Sequence, residues 1–229
     1  MPSIDQEFFK KNQYIKIKPY KKQDFFDLYS FKGTVSEKLR DKKDAGALKA
    51  SREYLKNNYE TYSQLLIDNR YLKSIEEGLK LKLFPYKLMH VISDDQTNSL
   101  IWHRDVYKHN NKNIGPPWPL FKLAIYLQKT NKSNGITGFI PGKLNLDINN
   151  RYLDTLYAFL VSKFAYYACV EAGESILFSG KVMHQRPLSN SKNHRQAIIF
   201  SLTTSHETVK EYMKDINSFP YYLKKIKKL

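Results

Sequence analysis

Short apolar runs separated by turn-forming residues fill the middle of the chain, from about Leu81 to Ser205. Runs of this kind, bounded by Gly, Pro, Asn and Asp, are typical of β-strands. Many short strands at this spacing favour a sandwich, a jelly roll or a barrel. We therefore predict a mainly β fold with helical additions. The runs are KLMHVIS, LFKLAIYLQ, AYYACVEAG, SILFSG and QAIIFSLTT.

Apolar residues at helical spacing flank this β region. Residues 47–80 carry one such stripe, which predicts one broken helix or two and is typical of a packing face. The stripe consists of Leu55, Tyr59, Tyr62, Leu66, Leu72, Ile75 and Leu79. Before it, the alternation from Tyr14 to Lys18 suits one edge strand.

A second helical stripe interrupts the β region, and a third helix follows it. Near-helical spacing between Gly142 and Ala165 predicts a helical insertion between strands. The residues after His206 predict a short amphipathic helix, a proline break and a solvated basic end, KKIKK. The stripe of the insertion consists of Leu153, Leu156, Tyr157, Leu160 and Phe164.

The chain of 229 residues shows no internal repeat, and its length suits one domain spanning 1–229. Within it we expect a jelly-roll core at about 81–205, an N-terminal helical region at about 45–80 and a C-terminal helical tail at 206–229. No signal peptide is visible at the start. The most apolar run, Thr155 to Val170, is interrupted by Lys163, so no membrane-spanning helix is expected.

The charge and the cysteine content limit which binding partners and which cellular compartment are expected. Lys and Arg number 38 against 22 Asp and Glu, a formal charge of +16. The lysines are spread along the chain, and only Lys224 to Lys228 is dense, so we predict no specific nucleic-acid partner. The single cysteine, Cys169, excludes an internal disulfide and a Cys-based zinc or iron–sulfur site. We expect a reducing, cytoplasmic setting.

The segment IWHRDVY holds the first half of a candidate metal site. In an extended segment, residues two apart point to the same face, so His103 and Asp105 converge while Arg104 points away. With one distant histidine they make a 2-His-1-carboxylate triad, which leaves positions on Fe(II) open for a chelating co-substrate and dioxygen. The other interpretation is a partly buried strand histidine with an acidic ion-pair partner.

The second half lies in GESILFSGKVMHQRPLSNSKNHRQAIIFSL. A strand that ends in a glycine turn delivers His184, and Arg195 follows eleven positions later on the next strand. An arginine placed there suits a two-pronged salt bridge to a dianionic co-substrate.

Together with FKLAIYLQKTNKSNGITGFIPG, these motifs resemble the phytanoyl-CoA dioxygenase (PhyH-like) family of Fe(II)/2-oxoglutarate oxygenases, over about 85–205. The resemblance implies a double-stranded β-helix, the cupin-like jelly roll. It implies that His103, Asp105 and His184 bind Fe(II) and that Arg195 binds the distal carboxylate of 2-oxoglutarate. It also implies the use of dioxygen, release of succinate and carbon dioxide, and hydroxylation of a small molecule. The charge of +16 favours an anionic substrate over a neutral one.

The chain departs from the family at two places. The family often has Pro-Gly-Ser-His after the Asn-Gly turn, where this chain has Lys143 and Leu144 after Pro-Gly. Many relatives have a serine two residues after the arginine, where this chain has Ala197. Ser201 lies on the same strand parity but about 20 Å away, too far to replace it.

Other polar and aromatic residues have two interpretations each. Lys122 and Tyr126, which share a strand face with Gln128, either help to bind the co-substrate or occupy ordinary core or surface positions. Trp118 either packs or lines a pocket mouth, and Trp102 packs. Four further histidines are left outside the site: His90, His109, His194 and His206. We expect the loop near 106–119 and the insertion near 143–164 to contact substrate.

Two alternatives to a small-molecule hydroxylase stay open: a non-catalytic basic jelly-roll binding module, and a nucleic-acid or protein demethylase of the same superfamily. Nucleic-acid demethylases show a second arginine six positions after the first, where this chain has Ser201. A halogenase replaces the metal-binding carboxylate with a small residue, and Asp105 is intact. Substrate and oligomeric state are not predicted.

Overall fold

Ten antiparallel β-strands lie in the described parts of the chain between Phe84 and Thr203. The computed structural model describes residues 4–18, 48–50, 52–68, 70–93, 100–109, 112–114, 120–146, 150–187 and 195–227. The strands in these ranges are β1 (Tyr14–Ile17), β2 (Leu48–Lys49), β3 (Phe84–Ser93), β4 (Leu100–His103), β5 (Tyr107–His109), β6 (Lys112–Ile114), β7 (Phe121–Tyr126), β8 (Gly138–Phe139), β9 (Tyr166–Tyr167), β10 (Ser175–Ser179), β11 (His184–Arg186) and β12 (Arg195–Thr203).

These strands form two antiparallel sheets and a hairpin. The large sheet has the order β1-β10-β7-β12-β3-β2, and the small sheet has the order β4-β11-β8-β9. Strands β5 and β6 pair with each other. Neighbouring strands in both sheets are distant in sequence, so long-range pairing defines the fold. The predicted mainly β fold with helical additions is confirmed.

The helices pack mainly at the ends and on one face of this structure. The α-helices are α1 (Gln6–Asn12), α2 (Arg52–Asn57), α3 (Tyr59–Asp68), α4 (Tyr71–Leu79), α5 (Arg151–Val161), α6 (His206–Met213) and α7 (Phe219–Lys227). Among the residues that the structure describes, no helix has both the length and the apolar character needed to cross a bilayer.

Strict alternation along β7 gives the large sheet two different faces. Leu123 and Ile125 point into the main apolar core, where they meet Tyr62 and Leu66 of α3. The intervening residues of β7, including Tyr126, point to the other face, where the small sheet contributes Phe139. One face of the large sheet is therefore sealed by helices, and the opposite face is turned towards the small sheet.

The edge strand and the helical region predicted before the β region are both present, but the number of helices differs from the prediction. Strand β1 lies at the edge of the large sheet and pairs with β10, as the alternation predicted. The stripe between 47 and 80 packs on the core as predicted, but three helices replace the expected one or two. The chain breaks at Asn58, whose amide donates to the Leu55 carbonyl, and at Arg70, which has a left-handed φ of 55°.

The predicted proline break in the tail is wrong, because Pro220 lies in the first turn of α7. A proline is tolerated there, since the first amides of a helix have no intrahelical acceptor. The basic residues up to Lys227 are also part of this helix, and Phe219 and Leu223 anchor it in the main core.

The predicted helical insertion between strands is present as α5. It packs on the outer side of the small sheet, where Ala158 meets Trp102 of β4. Trp102 therefore packs as predicted. Trp118, His194 and half of the substrate-contacting loop predicted near 106–119 lie outside the described residues.

Candidate metal centre

The small sheet brings two distant histidines side by side. His103 ends β4 and His184 begins β11, and the two residues are direct partners in the antiparallel register. Their imidazole ring centroids lie 4.3 Å apart. Residues opposite each other on one face of a sheet are close neighbours, so strand pairing positions the two rings.

Asp105 joins them although β4 ends two residues earlier. The backbone amides of Asp105 and Val106 both donate to the Gly180 carbonyl, at 3.0 and 3.2 Å, in the turn that precedes β11. This bend points the carboxylate at the histidines, and Asp105 Oδ2 lies 3.7 Å from His184 Nε2. One potential ligand atom from each of the three residues lies within 4.8 Å of the others.

Both histidines have the tautomer that a metal site needs. His103 Nδ1 lies 2.8 Å from the Ile101 carbonyl oxygen, and His184 Nδ1 lies 3.0 Å from the Val182 carbonyl oxygen. Because a carbonyl only accepts, each Nδ1 carries the hydrogen. A neutral ring of this tautomer has its lone pair on Nε2, and a hydrogen bond from the other nitrogen is typical of metal-binding histidines.

Burial keeps His184 neutral. Desolvation, together with the neighbouring His103, lowers the pKa of His184 to about 3. Its contact with Asp105 is therefore not an ion pair at neutral pH. A neutral imidazole beside a carboxylate is the protonation state in which both groups bind a cation.

The Asp105 carboxylate uses its two oxygens differently. Oδ1 accepts a hydrogen bond of 2.7 Å from Lys122 Nζ. Oδ2 is buried and has no hydrogen-bond partner among the described residues. Burial alone would raise the pKa of Asp105, but the charge and the hydrogen bond of Lys122 hold that pKa below its usual value. The oxygen that faces the histidines is thus an ionised acceptor without a donor, which is costly unless a cation neutralises it.

Arg195 occupies the start of β12, on the large sheet opposite the histidines. Its guanidinium donates to the Gly135 carbonyl and to Thr137 Oγ1, and it stacks on the Tyr126 ring with 5.4 Å between Cζ and the ring centroid. Its Nε is buried without a partner, and no carboxylate of the described ranges pairs with it. Burial lowers the pKa of Arg195, which reflects the cost of an uncompensated cation.

A cavity of about 290 Å³ lies between the two sheets and joins these groups. His103, His184, Lys122, Tyr126 and Arg195 all line it. The rest of its wall is largely apolar, from Met89, Val91, Ala124, Phe178, Ala197 and Ile199. The structure therefore brings five of the six sequence-predicted site residues to one cavity wall, with Asp105 directly behind Lys122 and the histidines.

Lys122 and Tyr126, which were predicted either to bind the co-substrate or to occupy ordinary positions, both line the cavity. Their polar atoms bond to other residues of the protein. Lys122 bonds to Asp105, and the Tyr126 hydroxyl bonds to Thr137 Oγ1 at 3.0 Å. Gln128 is not part of the cavity wall; its Oε1 accepts from the Gln196 amide.

Sequence reasoning missed Thr137, which touches both Tyr126 and Arg195. It also missed Arg186, which shares a strand face with His184 and lines the cavity. The spacing of two residues from His184 was the available signal for Arg186. Thr137 lies beside the glycine turn of the SNGITGF segment, and nothing in its local pattern distinguishes it.

None of the described residues of the insertion near 143–164 lines the cavity, so its predicted contact with substrate stays a prediction. Helix α5 covers the outer side of the small sheet. His90 is a core histidine, as one of its two interpretations held. It lies between the Tyr62 hydroxyl at 2.9 Å and Gln196 Oε1 at 3.0 Å.

No family model matches the sequence, and no curated protein sequence matches it. Solved structures do match. HygX from Streptomyces hygroscopicus with nickel, 2-oxoglutarate and hygromycin B bound is 14% identical, with a TM-score of 0.64 over 89% of this chain and 88% of HygX. The non-haem α-ketoglutarate-dependent epimerase SnoN from nogalamycin biosynthesis is 11% identical, with a TM-score of 0.63 over 87% and 81%.

This chain has the fold of 2-oxoglutarate-dependent non-haem enzymes. A third match, EvdMO1, is 16% identical with a TM-score of 0.61 over 87% of this chain, which spans about half (49%) of EvdMO1. At these identities the likeness extends to the fold, and the chemistry of this chain has to be argued from its own residues.

Proposed function

We propose that this protein is an Fe(II)/2-oxoglutarate-dependent oxygenase that hydroxylates a small molecule. The observation that carries the proposal is the buried Asp105 Oδ2, an ionised acceptor that no donor of the described residues reaches and that lies 3.7 Å from His184 Nε2. One ligand atom from each of Asp105, His103 and His184 lies within 4.8 Å of the others. In this proposal His103 Nε2, His184 Nε2 and Asp105 Oδ2 hold the metal, which activates dioxygen when bound. Two imidazoles and one carboxylate suit Fe(II) and leave coordination positions open.

Lys122 has a supporting role in this proposal. Its bond to Oδ1 fixes the plane of the Asp105 carboxylate and leaves Oδ2 for the metal. It also balances the charge of the carboxylate before the metal binds. Lys122 would therefore tune metal affinity. Because its side chain also lines the cavity, the prediction that Lys122 helps to bind the co-substrate stays a prediction.

Arg195 is proposed to bind the distal carboxylate of 2-oxoglutarate. Support comes from its burial at the cavity wall with an unpartnered Nε, and from Tyr126 and Thr137, which hold the guanidinium in place. A carboxylate here would form charge-assisted hydrogen bonds with a cation that otherwise lacks a counter-charge. Two proteins that share the fold use the same co-substrate: HygX has been solved with 2-oxoglutarate bound, and SnoN is an α-ketoglutarate-dependent epimerase.

The substrate is proposed to be a small molecule, with an anion favoured over a neutral compound. A cavity of about 290 Å³ with apolar walls admits little more than a small substrate beside 2-oxoglutarate. Lys122, Arg186 and Arg195 line it, and such a positive field favours anions. HygX with bound hygromycin B shows that this fold accommodates small molecules. Hydroxylation is the proposed outcome, with release of succinate and carbon dioxide.

Three finer assignments belong to the same proposal. The two facing antiparallel sheets support a double-stranded β-helix within a single domain. The motif spacing supports the PhyH-like branch. The lone thiol of Cys169, which is exposed, supports a reducing cytoplasmic location.

The proposal is tested by succinate release from 2-oxoglutarate in air with Fe(II) and ascorbate, over a panel of small anionic and neutral candidates. The wild-type protein is expected to release succinate, slowly alone and faster with a substrate that gains one oxygen atom. His184→Ala should release none while keeping its thermal unfolding midpoint. Equal succinate release by His184→Ala and wild type would overturn the assignment. A product that has lost two hydrogen atoms instead of gaining an oxygen atom would replace hydroxylation by another oxidation.

A further inference from the structure

The outer face of α5 is exposed and entirely apolar. Five of its eleven residues form this face, and Phe164 extends it beyond the helix with 56% exposure. A surface helix normally turns such a stripe to the core, and contiguous exposed apolar patches mark interaction sites. The face consists of Tyr152 (85% exposed), Leu153 (55%), Leu156 (57%), Phe159 (69%) and Leu160 (66%).

The inner face of the helix prevents it from rolling this stripe inwards. Asp154 is fully buried and pairs with Arg104, with a distance of 2.5 Å between Oδ2 and Nε. Thr155 Oγ1 donates to the Trp102 carbonyl, and Ala158 is buried against the small sheet. Rotation would break a buried ion pair, which is costly. The apolar face is therefore presented outwards by the fold.

The described charged side chains that flank α5 in sequence are basic. Lys143 and Lys163, which flank α5 in sequence, are both exposed. Lys163 Nζ lies 5.0 Å from the centroid of the Phe164 ring, so its stem runs along apolar surface while its ammonium reaches water. Among the described side chains of 141–167, the acidic one is Asp154, which is buried.

We propose that the outer face of α5 docks on the surface of an anionic lipid bilayer. Its leucines and aromatic rings would enter the headgroup boundary, and Lys143 and Lys163 would meet the lipid phosphates. Apolar burial combined with attraction to anionic lipid is how interfacial helices bind. A second copy of the chain suits this face less well, because its basic flanks would meet basic flanks in a protein of charge +16.

The test is co-sedimentation of the full chain with vesicles of equimolar phosphatidylcholine and phosphatidylglycerol, and with vesicles of phosphatidylcholine alone. The wild-type protein should bind the anionic vesicles at least tenfold more tightly than the neutral ones. The double variant Leu156→Ser/Phe159→Ser should lose at least tenfold of the anionic affinity. Ile216→Ser, which removes an exposed apolar side chain in the turn before α7, should bind like wild type.

Hydrogen exchange of the wild-type protein gives a second measurement that needs no variant. Amides of 151–161 should exchange more slowly with anionic vesicles present, while those of α6 should not change. Unchanged exchange in 151–161, or equal vesicle binding by the double variant and wild type, would overturn the proposal. Dimerisation of wild type that the double variant loses, without vesicle binding, would assign the face to a second copy instead. None of these readouts depends on the metal.

Discussion

Arg104, which lies between the proposed metal ligands His103 and Asp105, is held in place by a buried ion pair with Asp154. Arg104 is 5% exposed and Asp154 is 0% exposed at their side chains. The guanidinium donates to both Asp154 oxygens, to the Leu146 carbonyl, and to the Lys181 carbonyl at 2.8 Å. It thus ties the His103–Asp105 segment to α5 and to the turn that leads into His184.

Asp154→Asn keeps the shape of this contact and removes its charge. Breaking a buried pair by neutralising one partner typically costs about 3 to 5 kcal/mol, because the other charge stays buried. Two carbonyl acceptors remain for Arg104, so we expect the lower end, about 3 kcal/mol. With a urea dependence of about 3 kcal/mol per M, the unfolding midpoint should fall by about 1 M.

The matched control is the exposed pair between Lys214 and Glu211, which has a distance of 2.6 Å and about 70% exposure on both sides. Glu211→Gln should change stability by less than about 1 kcal/mol, since surface pairs contribute little. The apolar double variant Arg104→Met/Asp154→Leu should recover most of the loss, because neither charge is then left alone. An unfolding midpoint for Asp154→Asn equal to that of Glu211→Gln would refute the reasoning.

Three further predictions concern pH, the co-substrate and charge. Burial lowers the pKa of His90 to about 4 from 6.5, so the unfolded chain binds more protons between these values. Through His90 alone, stability should therefore fall on acidification below 6.5, by about 2 kcal/mol from pH 7 to pH 5 in urea unfolding, and His90→Gln should remove this share of the slope. Arg195→Lys should weaken 2-oxoglutarate binding at least tenfold in calorimetry of the nickel-loaded protein, and an unchanged affinity would exclude its role. Oligonucleotide binding should be weak and lost steeply as salt rises, so tight binding at physiological salt with oligonucleotide-dependent succinate release would favour the demethylase alternative.

The sequence predicted that His103, Asp105 and His184 lie close together, because strand geometry controls their placement. Alternation along β4 and its short extension is enough to expect His103 and Asp105 on one side, and the glycine turn before β11 marks His184. The partner of Arg104 was not predictable in the same way, since Asp154 lies 50 residues away and meets it only through the packing of α5.

Element type was easier to predict than the side on which an element packs. The apolar stripe of the insertion gave a helix correctly, yet periodicity alone does not say which face is covered. There the buried face is formed by Asp154, Thr155 and Ala158, and the more apolar face is left outside. Likewise, a proline can begin a helix as well as end one, so Pro220 did not reveal that α7 continues through the basic residues.

The central claim is that His103, Asp105 and His184 form an Fe(II) centre that also takes 2-oxoglutarate. The most direct measurement is an anaerobic titration of Fe(II) into the metal-free protein with 2-oxoglutarate present, followed by visible absorption. We expect one Fe(II) per chain and a charge-transfer band that neither the protein nor 2-oxoglutarate gives alone with Fe(II). Asp105→Ala should lose both the stoichiometric binding and the band. Wild-type protein without the band, or Asp105→Ala with undiminished Fe(II) affinity, would contradict the claim.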